Sequence, residues 1–439
     1  MNVFQRRILY LAAIAVFLVL APIVLLYGQG WRLDFRRAQV VRTGGIYIDS
    51  FPQRASVTIN SRPMSRLTPI SIFNLRPGVA NVVIDKPGWQ PWSGRITVVP
   101  QSLTQVAAVM MPSPVSSLVL PESQSVPISF DRSRGQLLYL IQQANGTAVK
   151  ALTLDPPAVQ TIAILPVTGK VHQATASATH KYIALVTEKL GLIVLRRNDV
   201  GLVTFDFPAS STPSRISWHP TDDEEFYFLD RGSLWQADMA QGQMKVAASP
   251  NIKEFMIGND ALWVIRQTSI MEKLQRLNVK KQNDVLEEIR LDFAVDKILY
   301  VSSEAFIISN KNSVVFLNRQ AGLINSIQLD KIKAHYLDST KRWLLLLGDS
   351  EVWTVDVRTG EFTLVSRRSD LRDALWYQRL PAIFMLTDRT VQIISTKPTP
   401  ILSGAAGEFV DPQQLFSLDE SNIGIVEANR LVIWQVKQR

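Results

Sequence analysis

The sequence contains no cysteine among its 439 residues. A lipid-modified cysteine is therefore excluded as a membrane anchor, and disulfide chemistry gives no evidence of cellular compartment. Histidine is also scarce, and the four residues show no metal-ligand spacing: His172, His180, His219 and His335. We therefore expect no metal site and no cofactor.

Several motifs that would indicate catalysis are also missing. The sequence has no Gly-x-Ser-x-Gly elbow, no Gly-rich phosphate loop and no complete sialidase-type Asp box. These absences indicate a protein that is not an enzyme. A pair of carboxylates contributed by separate repeats cannot be recognised from spacing. An enzyme that acts on surface glycan therefore stays open as the alternative.

Acidic residues are scarce at the N-terminal end. Residues 1–112 contain 12 Lys and Arg but only 3 Asp and Glu, whereas the rest of the chain contains 35 of each sign. The basic residues form no Lys/Arg-rich run and no nucleic-acid motif is present, so we expect no nucleic-acid partner. A basic segment of this kind suits an anionic membrane or an anionic wall or surface polymer. A solvated basic surface without a specific partner is the alternative.

The longest hydrophobic run is Ile8–Tyr27, which has 20 residues and no charge and follows Arg6 and Arg7. This length is enough to cross about 30 Å of hydrocarbon as a helix. We predict a cytoplasmic tail over 1–7, a transmembrane helix over 8–27 in contact with the lipid bilayer, and a connector over 28–42. A cleaved signal peptide is the alternative, but the run is long for one and no small-x-small cleavage site follows.

The orientation of this span is less clearly encoded, because arginines flank it on both sides. The short basic tail favours a single-pass protein of the cell membrane, with the tail inside and residues 28–439 outside the cytoplasm. A cytoplasmic-facing protein is the alternative.

Residues 43–112 contain short alternating strands separated by Pro and Gly, which predicts a small β-sandwich. The order of its motifs resembles a PEGA domain. The matching segments are Pro52-Gln53-Arg54-Ala55, Val57-Thr58-Ile59-Asn60-Ser61, Thr68-Pro69, Leu75-Arg76-Pro77-Gly78 and Lys86-Pro87-Gly88-Trp89-Gln90-Pro91-Trp92. The resemblance implies a surface-associated module without catalysis. The arrangement of anchor, PEGA-like domain and β-rich remainder is similar to PEGA-domain proteins of small-genome bacteria.

Two residues of this domain depart from the PEGA pattern, and we expect a structural effect at each. Arg54 and Ser61 stand where the family usually has glycine, so we expect these turns to be built differently. Trp89 and Trp92 are predicted to fill the core of this small domain. A sugar-stacking pair is the alternative for the two tryptophans.

Residues 113–439 show paired strand runs that repeat about every 40 residues. Equivalent positions in the apolar first strand of each pair are Leu138, Tyr182, Phe226, Leu262, Phe306, Leu344, Ile383 and Gly424. All-β sequence with this period predicts a β-propeller of eight blades, with seven as the alternative. The last unit lacks a fourth strand, and we expect Val115–Leu120 to supply it.

Polar turns precede several of the apolar strands, as at Ser129–Gly135, Trp218–Asp223 and Asp338–Lys341. They resemble degenerate turns of TolB-like and WD-type repeats, and we interpret them as capped turns. The whole pattern predicts a non-catalytic cell-envelope binding or scaffolding protein that presents its propeller to an unknown protein or glycan partner. The candidate contacts to an anionic surface are Arg54, Arg62, Arg66, Arg76 and Arg95.

Overall fold

The computed structural model shows an all-β protein with one N-terminal helix. The residues that it describes are 3–28, 31–34, 39–110, 125–131, 133–143, 146–154, 157–165, 170–188, 191–197, 201–203, 213–258, 261–278, 283–319, 322–329, 331–377, 382–396, 403–408, 411–417, 422–427 and 430–435. The chain forms two compact units, which are built mainly from residues 1–115 and from residues 116–391 with 407–435.

Helix α1 extends over Val3–Gly28 and includes Pro22. Its side chains are described at Arg6, at residues 10–22 and at residues 24–25. Large apolar side chains among them are exposed, including Phe17 and Leu25. In the described part of the chain, no helix combines the length and the apolarity that a membrane span needs.

The described residues between 31 and 109 form nine strands. They are β1 (Trp31–Asp34), β2 (Gln39–Arg42), β3 (Gly44–Phe51), β4 (Ser56–Ile59), β5 (Arg62–Pro63), β6 (Ile70–Leu75), β7 (Gly78–Asp85), β8 (Trp92–Val98) and β9 (Leu103–Val109). Strands β1 and β2 of the predicted connector pair with each other antiparallel. The domain that follows has two sheets, in the orders β6-β3-β9 and β5-β4-β7-β8. The sequence analysis missed β9, which pairs parallel to β3.

The expectation that Arg54 and Ser61 alter their turns is wrong. Arg54 has φ +62° and Ser61 has φ +65°, so both adopt the left-handed conformation that glycine favours. Asn60 also has a positive φ, and β4 pairs with β5 directly across these two residues. Two such residues in a two-residue hairpin loop form a type I′ turn. The Asn60 Oδ1 atom accepts a hydrogen bond of 2.8 Å from the Asn81 N–H, which ties this turn to β7.

The two tryptophans have different environments. Trp89 is 3% exposed and packs edge-to-face on Phe51, with 6.4 Å between the ring centroids. Trp92 is half-buried and lies over Gly94 of the same strand, where an added Cβ would come within 2.5 Å of its ring. The core interpretation is therefore confirmed for Trp89. Because Trp89 is buried, the two rings do not form an exposed stacking pair.

In the described residues after position 124, the strands form eight consecutive antiparallel sheets. The first four are β10 (Ser125–Asp131), β11 (Gln136–Gln143), β12 (Gly146–Leu154) and β13 (Pro157–Leu165); β14 (Val171–Ala176), β15 (Tyr182–Thr187), β16 (Gly191–Arg196) and β17 (Gly201–Val203); β18 (Arg215–Trp218), β19 (Glu225–Asp230), β20 (Ser233–Asp238) and β21 (Gln243–Ala248); and β22 (Ile252–Ile257), β23 (Leu262–Gln267), β24 (Glu272–Leu277) and β25 (Val285–Leu291).

The last four sheets continue the same order, and the final one has three described strands. They are β26 (Lys297–Val301), β27 (Ala305–Asn310), β28 (Ser313–Asn318) and β29 (Gly322–Gln328); β30 (Ala334–Leu337), β31 (Trp343–Leu347), β32 (Glu351–Asp356) and β33 (Phe362–Arg367); β34 (Leu371–Tyr377), β35 (Ala382–Thr387), β36 (Thr390–Ser395) and β37 (Ser403–Glu408); and β38 (Pro412–Ser417), β39 (Asn422–Glu427) and β40 (Arg430–Gln435).

The second strand of each sheet is apolar at successive positions because both of its faces are covered by neighbouring sheets. In β15, Tyr182, Ala184 and Val186 belong to a core cluster with the third sheet. The alternate residues Ile183 and Leu185 belong to a cluster with the first sheet. Since successive side chains of a strand point to opposite faces, a strand between two sheets needs apolar residues throughout.

The last sheet packs against the first. Leu137, Tyr139 and Ile141 of β11 form a core cluster with Ile433 of β40, and Phe416 packs against this cluster. The paired strand runs and their period are thus confirmed as repeated sheets of a propeller. The count of eight blades stays a prediction, and its proposed closing strand Val115–Leu120 lies outside the described residues.

The polar turns are capped as expected. Asp131 Oδ1 accepts hydrogen bonds from the backbone N–H groups of Ser133 and Arg134. Asp338 Oδ1 accepts in the same way from Arg342 and Trp343, each at 2.8 Å. A short carboxylate therefore fixes the turn that leads into the apolar strand.

Candidate binding cavity between inner strands

The first strand of each sheet was missed by the sequence analysis, and these strands carry the candidate site. We call them the inner strands: β10, β14, β18, β22, β26, β30, β34 and β38. They are short and mixed in polarity; β30, for example, reads Ala-His-Tyr-Leu. Six of them contain a register shift near their start. Such a bulge disturbs the alternation by which strands are recognised.

Side chains of the inner strands connect successive sheets. Trp376 Nε1 donates a 2.9 Å hydrogen bond to the Tyr336 carbonyl, from the seventh sheet to the sixth. Trp218 Nε1 donates in the same way to the Thr175 carbonyl at 3.3 Å, from the third sheet to the second. These bonds join the backbone of one inner strand to a side chain of the next, so they help to position the inner strands.

A cavity of about 440 Å³ lies among inner strands of the first, sixth, seventh and eighth sheets. Its lining residues are Pro127, Ile128, Ser129, Phe130, Leu137, Tyr336, Leu337, Leu375, Trp376, Gln414, Leu415, Phe416 and Ser417. None of these described lining residues carries a charge. The volume and the apolar lining with a few hydroxyl and amide groups are typical of binding cavities.

Gly424 shapes one wall of this cavity. It pairs with Phe416 across β38 and β39, and an added Cβ would lie 2.1 Å from the Phe416 ring. Glycine therefore allows the aromatic ring to lie flat over the neighbouring strand. The apolar residues at the equivalent positions of the other sheets do not offer this space.

Besides Asp131 of β10, two buried carboxylates lie on inner strands, and both accept hydrogen bonds from protein donors. Asp373 Oδ2 accepts a 2.8 Å hydrogen bond from the Leu415 N–H, and Oδ1 accepts one from Ala374 N–H. Glu254 forms an ion pair with Arg215 and accepts from the Phe255 N–H at 2.7 Å. Burial raises the pKa of both carboxyl groups, that of Asp373 to about 6. Their hydrogen bonds indicate roles in joining inner strands.

Ser129, which lines the cavity, lies 2.5 Å from His180 through its Oγ and the histidine Nε2. Burial lowers the pKa of His180, and the nearby Asp131 carboxylate opposes this shift. Asp131 is instead hydrogen-bonded to Ser133 and Arg197, and Asp223 to Thr179. Among the described residues, neither carboxylate hydrogen-bonds to His180. The pair thus lacks the orienting third group of a catalytic triad.

Charged residues recur at one level of the inner strands. In four sheets, a charged inner-strand residue pairs with the second-strand residue three positions after the repeat position, as Arg215 pairs with Leu229, three positions after Phe226. The four charged residues are Arg215, Glu254, Lys297 and Asp373. His335 lies within one residue of that level. In sequence these five residues are 38 to 43 positions apart. Applying the 40-residue period to charged residues could therefore have found this group.

The arginines singled out in the PEGA-like domain do not converge on one pocket. All five, Arg54, Arg62, Arg66, Arg76 and Arg95, are exposed. Arg62 lies on β5 and Arg95 on β8, at opposite edges of the same sheet. Burial and the Arg54 charge both lower the pKa of Lys86, whose ammonium donates to the Gln53 carbonyl. Lys86 thus adds a cation beside Arg54.

Comparison with known proteins gives different matches for the two parts of the chain. Residues 43–114 match the family model of the PEGA domain. This confirms the resemblance for the PEGA-like domain, which is about one sixth of the chain. No curated protein sequence matches the chain.

The rest of the chain is similar in fold to solved propellers. The C-terminal WD40 domain of Sif2, the Dos1 propeller and Saccharomyces cerevisiae Sqt1 each superpose with a TM-score of 0.53. Each similarity covers 74% of this chain and at least 95% of the other, at 10 or 11% identity. At this identity the likeness establishes the propeller fold alone.

The buried Asp373 predicts a pH-dependent stability. Its pKa is about 6 in the folded protein, against about 3.9 when unfolded. Its stabilising contribution is therefore present below about pH 4 and is lost as pH rises through about 6. We expect the free energy of unfolding of the wild type, relative to Asp373→Asn, to fall by on the order of 2 kcal/mol across this window. Urea unfolding followed by tryptophan fluorescence measures this difference.

Asp388→Asn is the matched control, because Asp388 is an exposed aspartate in the same sheet region. Parallel stability curves for the wild type and Asp373→Asn between pH 4 and 7 would contradict this assignment.

Proposed function

We propose that this protein is a membrane-anchored, non-catalytic component of the cell envelope whose propeller binds a protein or glycan partner. The PEGA-like domain contacts an anionic membrane or wall polymer. In this proposal the propeller is an eight-bladed ring that Val115–Leu120 closes.

The cavity between the inner strands carries this proposal. Its described lining has no charge, whereas an enzyme that cleaves glycan needs two carboxylates directed at the substrate. The three buried carboxylates of the inner strands already accept backbone hydrogen bonds: Asp131 from Ser133 and Arg134, Asp373 from Leu415 and Ala374, and Glu254 from Phe255. A neutral apolar cavity suits recognition of an apolar side chain or sugar face better than acid–base chemistry.

The binding role can be tested by photo-crosslinking in intact cells. A photoreactive amino acid replaces Gln414, an exposed residue that lines the cavity, and in a control chain it replaces Gln243, an exposed residue of β21. We expect a discrete adduct from position 414 and none from 243. Protease or glycosidase digestion of the adduct identifies the partner class. Equal labelling at both positions would contradict recognition at the cavity.

The sequence of α1 supports the anchor. Residues 8–27 contain no charged side chain, and large apolar side chains such as Tyr10, Phe17 and Leu25 are between 65 and 68% exposed. A soluble protein rarely leaves so many large apolar groups in water. A lipid environment removes them from water, and the arginines at both ends of the run suit phospholipid headgroups.

The basic PEGA-like domain supports contact with an anionic surface. Its arginines are exposed at sheet edges and turns, and Arg54 lies beside Lys86. Exposed cations that are spread over a domain attract a polyanion along the whole surface and do not form a pocket for it. Salt weakens this attraction. A distributed contact of this kind needs no fixed ligand geometry.

Reversing Arg54, Arg62 and Arg95 to Glu in the full chain should weaken binding to immobilised anionic wall polymer by about ten-fold or more at low salt. Wild-type binding should also decline steeply as the salt concentration passes the physiological range. The control reverses three exposed cations of the propeller, Lys245, Lys311 and Arg389, with the same change in net charge. Equal losses in both triple variants would show that net charge alone drives binding.

A further inference from the structure

Four large apolar side chains are exposed at one end of the PEGA-like sandwich. They are Phe73 on β6, Val79 on β7, Val99 after β8 and Leu103 on β9, and they are between 48 and 63% exposed. The strand register brings them together, because β6 ends and β9 begins beside the first residues of β3, and β7 begins beside the end of β8. We call this the connector end, since β3 follows the connector.

Phe73 and Leu103 form one apolar surface over Gly45 of β3. An added Cβ at Gly45 would lie 3.2 Å from Phe73 Cδ1 and 2.9 Å from Leu103 Cδ1, so the two side chains reach over the middle strand from both sides. The other face of β3 carries Ile46 and Ile48, which are fully buried in the core. The surface of Phe73 and Leu103 therefore lies outside the core, where exposed apolar area marks a contact with a partner or a membrane.

The connector end is basic as well as apolar. The segments that form it, 43–48, 72–80 and 97–104, contain Arg76 but no Asp or Glu. Arg76 is exposed in the turn between β6 and β7. The two acidic residues of the domain, Asp49 and Asp85, lie near the opposite ends of β3 and β7. Apolar side chains beside a cation suit an anionic lipid surface, which offers both hydrocarbon and phosphate groups.

The connector joins this end to helix α1. Trp31 begins β1 three residues after the end of α1, and it pairs with Arg42 of β2. The guanidinium carbon of Arg42 lies 4.4 Å from the centroid of the Trp31 ring. Arg42 Nη1 donates a 3.3 Å hydrogen bond to Gln101 Oε1, in the loop between β8 and β9. If α1 lies in the bilayer, Trp31 lies at the headgroup level and the connector end adjoins it.

From these observations we propose that the connector end inserts Phe73 and Leu103 into the surface of the bilayer that holds α1, with Arg76 at the lipid phosphates. The occupant is lipid and not wall polymer, because a hydrated polyanion would leave both apolar side chains in water. This inference rests on the proposed function and deepens it by naming the membrane as the partner of this end of the domain.

The absence of cysteine from the chain allows a nitroxide label to be attached at one chosen position. The full chain with Phe73→Cys or Leu103→Cys is labelled and reconstituted in vesicles of phosphatidylcholine and phosphatidylglycerol. Electron paramagnetic resonance compares collisions of the label with oxygen, which concentrates in hydrocarbon, and with a water-soluble nickel complex. Leu67→Cys is the matched control, because Leu67 is 48% exposed in the loop before β6, at the other end of the domain. We expect a higher ratio of oxygen to nickel collisions at 73 and 103 than at 67.

Removal of the Arg76 charge tests the electrostatic part of the contact. In the same vesicles, Arg76→Gln should shift the ratio of immersed to water-exposed label at position 73 about five-fold toward water, the value for one cation at an anionic surface. In vesicles of phosphatidylcholine alone it should have no effect. Arg54→Gln is the matched control, since Arg54 is an exposed arginine at the other end of the domain. Equal shifts in both variants would overturn the proposed phosphate contact.

The label at position 73 also decides between lipid and other occupants. The same collision ratio at 73 as at 67 would overturn the inference. A label at 73 that neither reagent reaches would indicate a protein contact, such as a second copy of the chain, and would overturn it too. Phe17→Cys in α1 reports on the anchor separately. Immersion at 17 with water at 73 would refute this inference while the proposed function stands, whereas water at both positions would contradict the anchor itself.

Discussion

The packing of each second strand between two neighbouring sheets is the constraint on which the propeller depends. Residues of β15 alternate between a cluster with the first sheet and a cluster with the third, so one strand belongs to two cores. A single four-stranded sheet would leave both of these faces in water and would not be stable alone. The contact of Ile433 with Tyr139 extends the same packing from the last sheet to the first.

This constraint explains which parts of the fold the sequence could predict. A strand that is covered on both faces must be apolar at every position, so runs such as Tyr182–Thr187 and Trp343–Leu347 stand out and repeat at the blade period. The capping aspartates Asp131 and Asp338 were recognisable because they precede these runs. The third strand of each sheet follows the second after a short turn, so the two strands could be recognised in the sequence as a pair.

The inner strands could not be predicted because they lack such continuous apolar runs. Core clusters hold the sheets together chiefly through other strands. The inner strands β18 and β30 are only four residues long and mix polar, aromatic and aliphatic side chains. Bulges in the other six inner strands also break the two-residue period. In the PEGA-like domain, Arg54 and Ser61 keep left-handed turns without glycine, each at a local cost of about 1 kcal/mol. The β4–β5 pairing holds the Ser61 turn, and a 2.9 Å hydrogen bond from the Arg54 N–H to the Thr68 carbonyl holds the other.

The inner strands contribute only a few side chains to the core clusters, such as Ile216 and Ile298, and this leaves other side chains for the candidate site. Trp376 and Asp373 secure these strands to neighbouring sheets, while Tyr336 and Phe416 line a neutral cavity and Lys297 remains exposed. The proposed function combines this site with a basic domain and an apolar N-terminal helix. It requires that the propeller lie outside the cytoplasm and be fixed to the membrane.

Protease treatment of intact cells tests that requirement most directly. Cells that produce the chain with a C-terminal epitope are treated with protease before and after permeabilisation, and a cytoplasmic protein is followed as the control. The account predicts that the propeller is removed from intact cells while the cytoplasmic control survives. Protection of the propeller in intact cells, with cleavage only after permeabilisation, would contradict it.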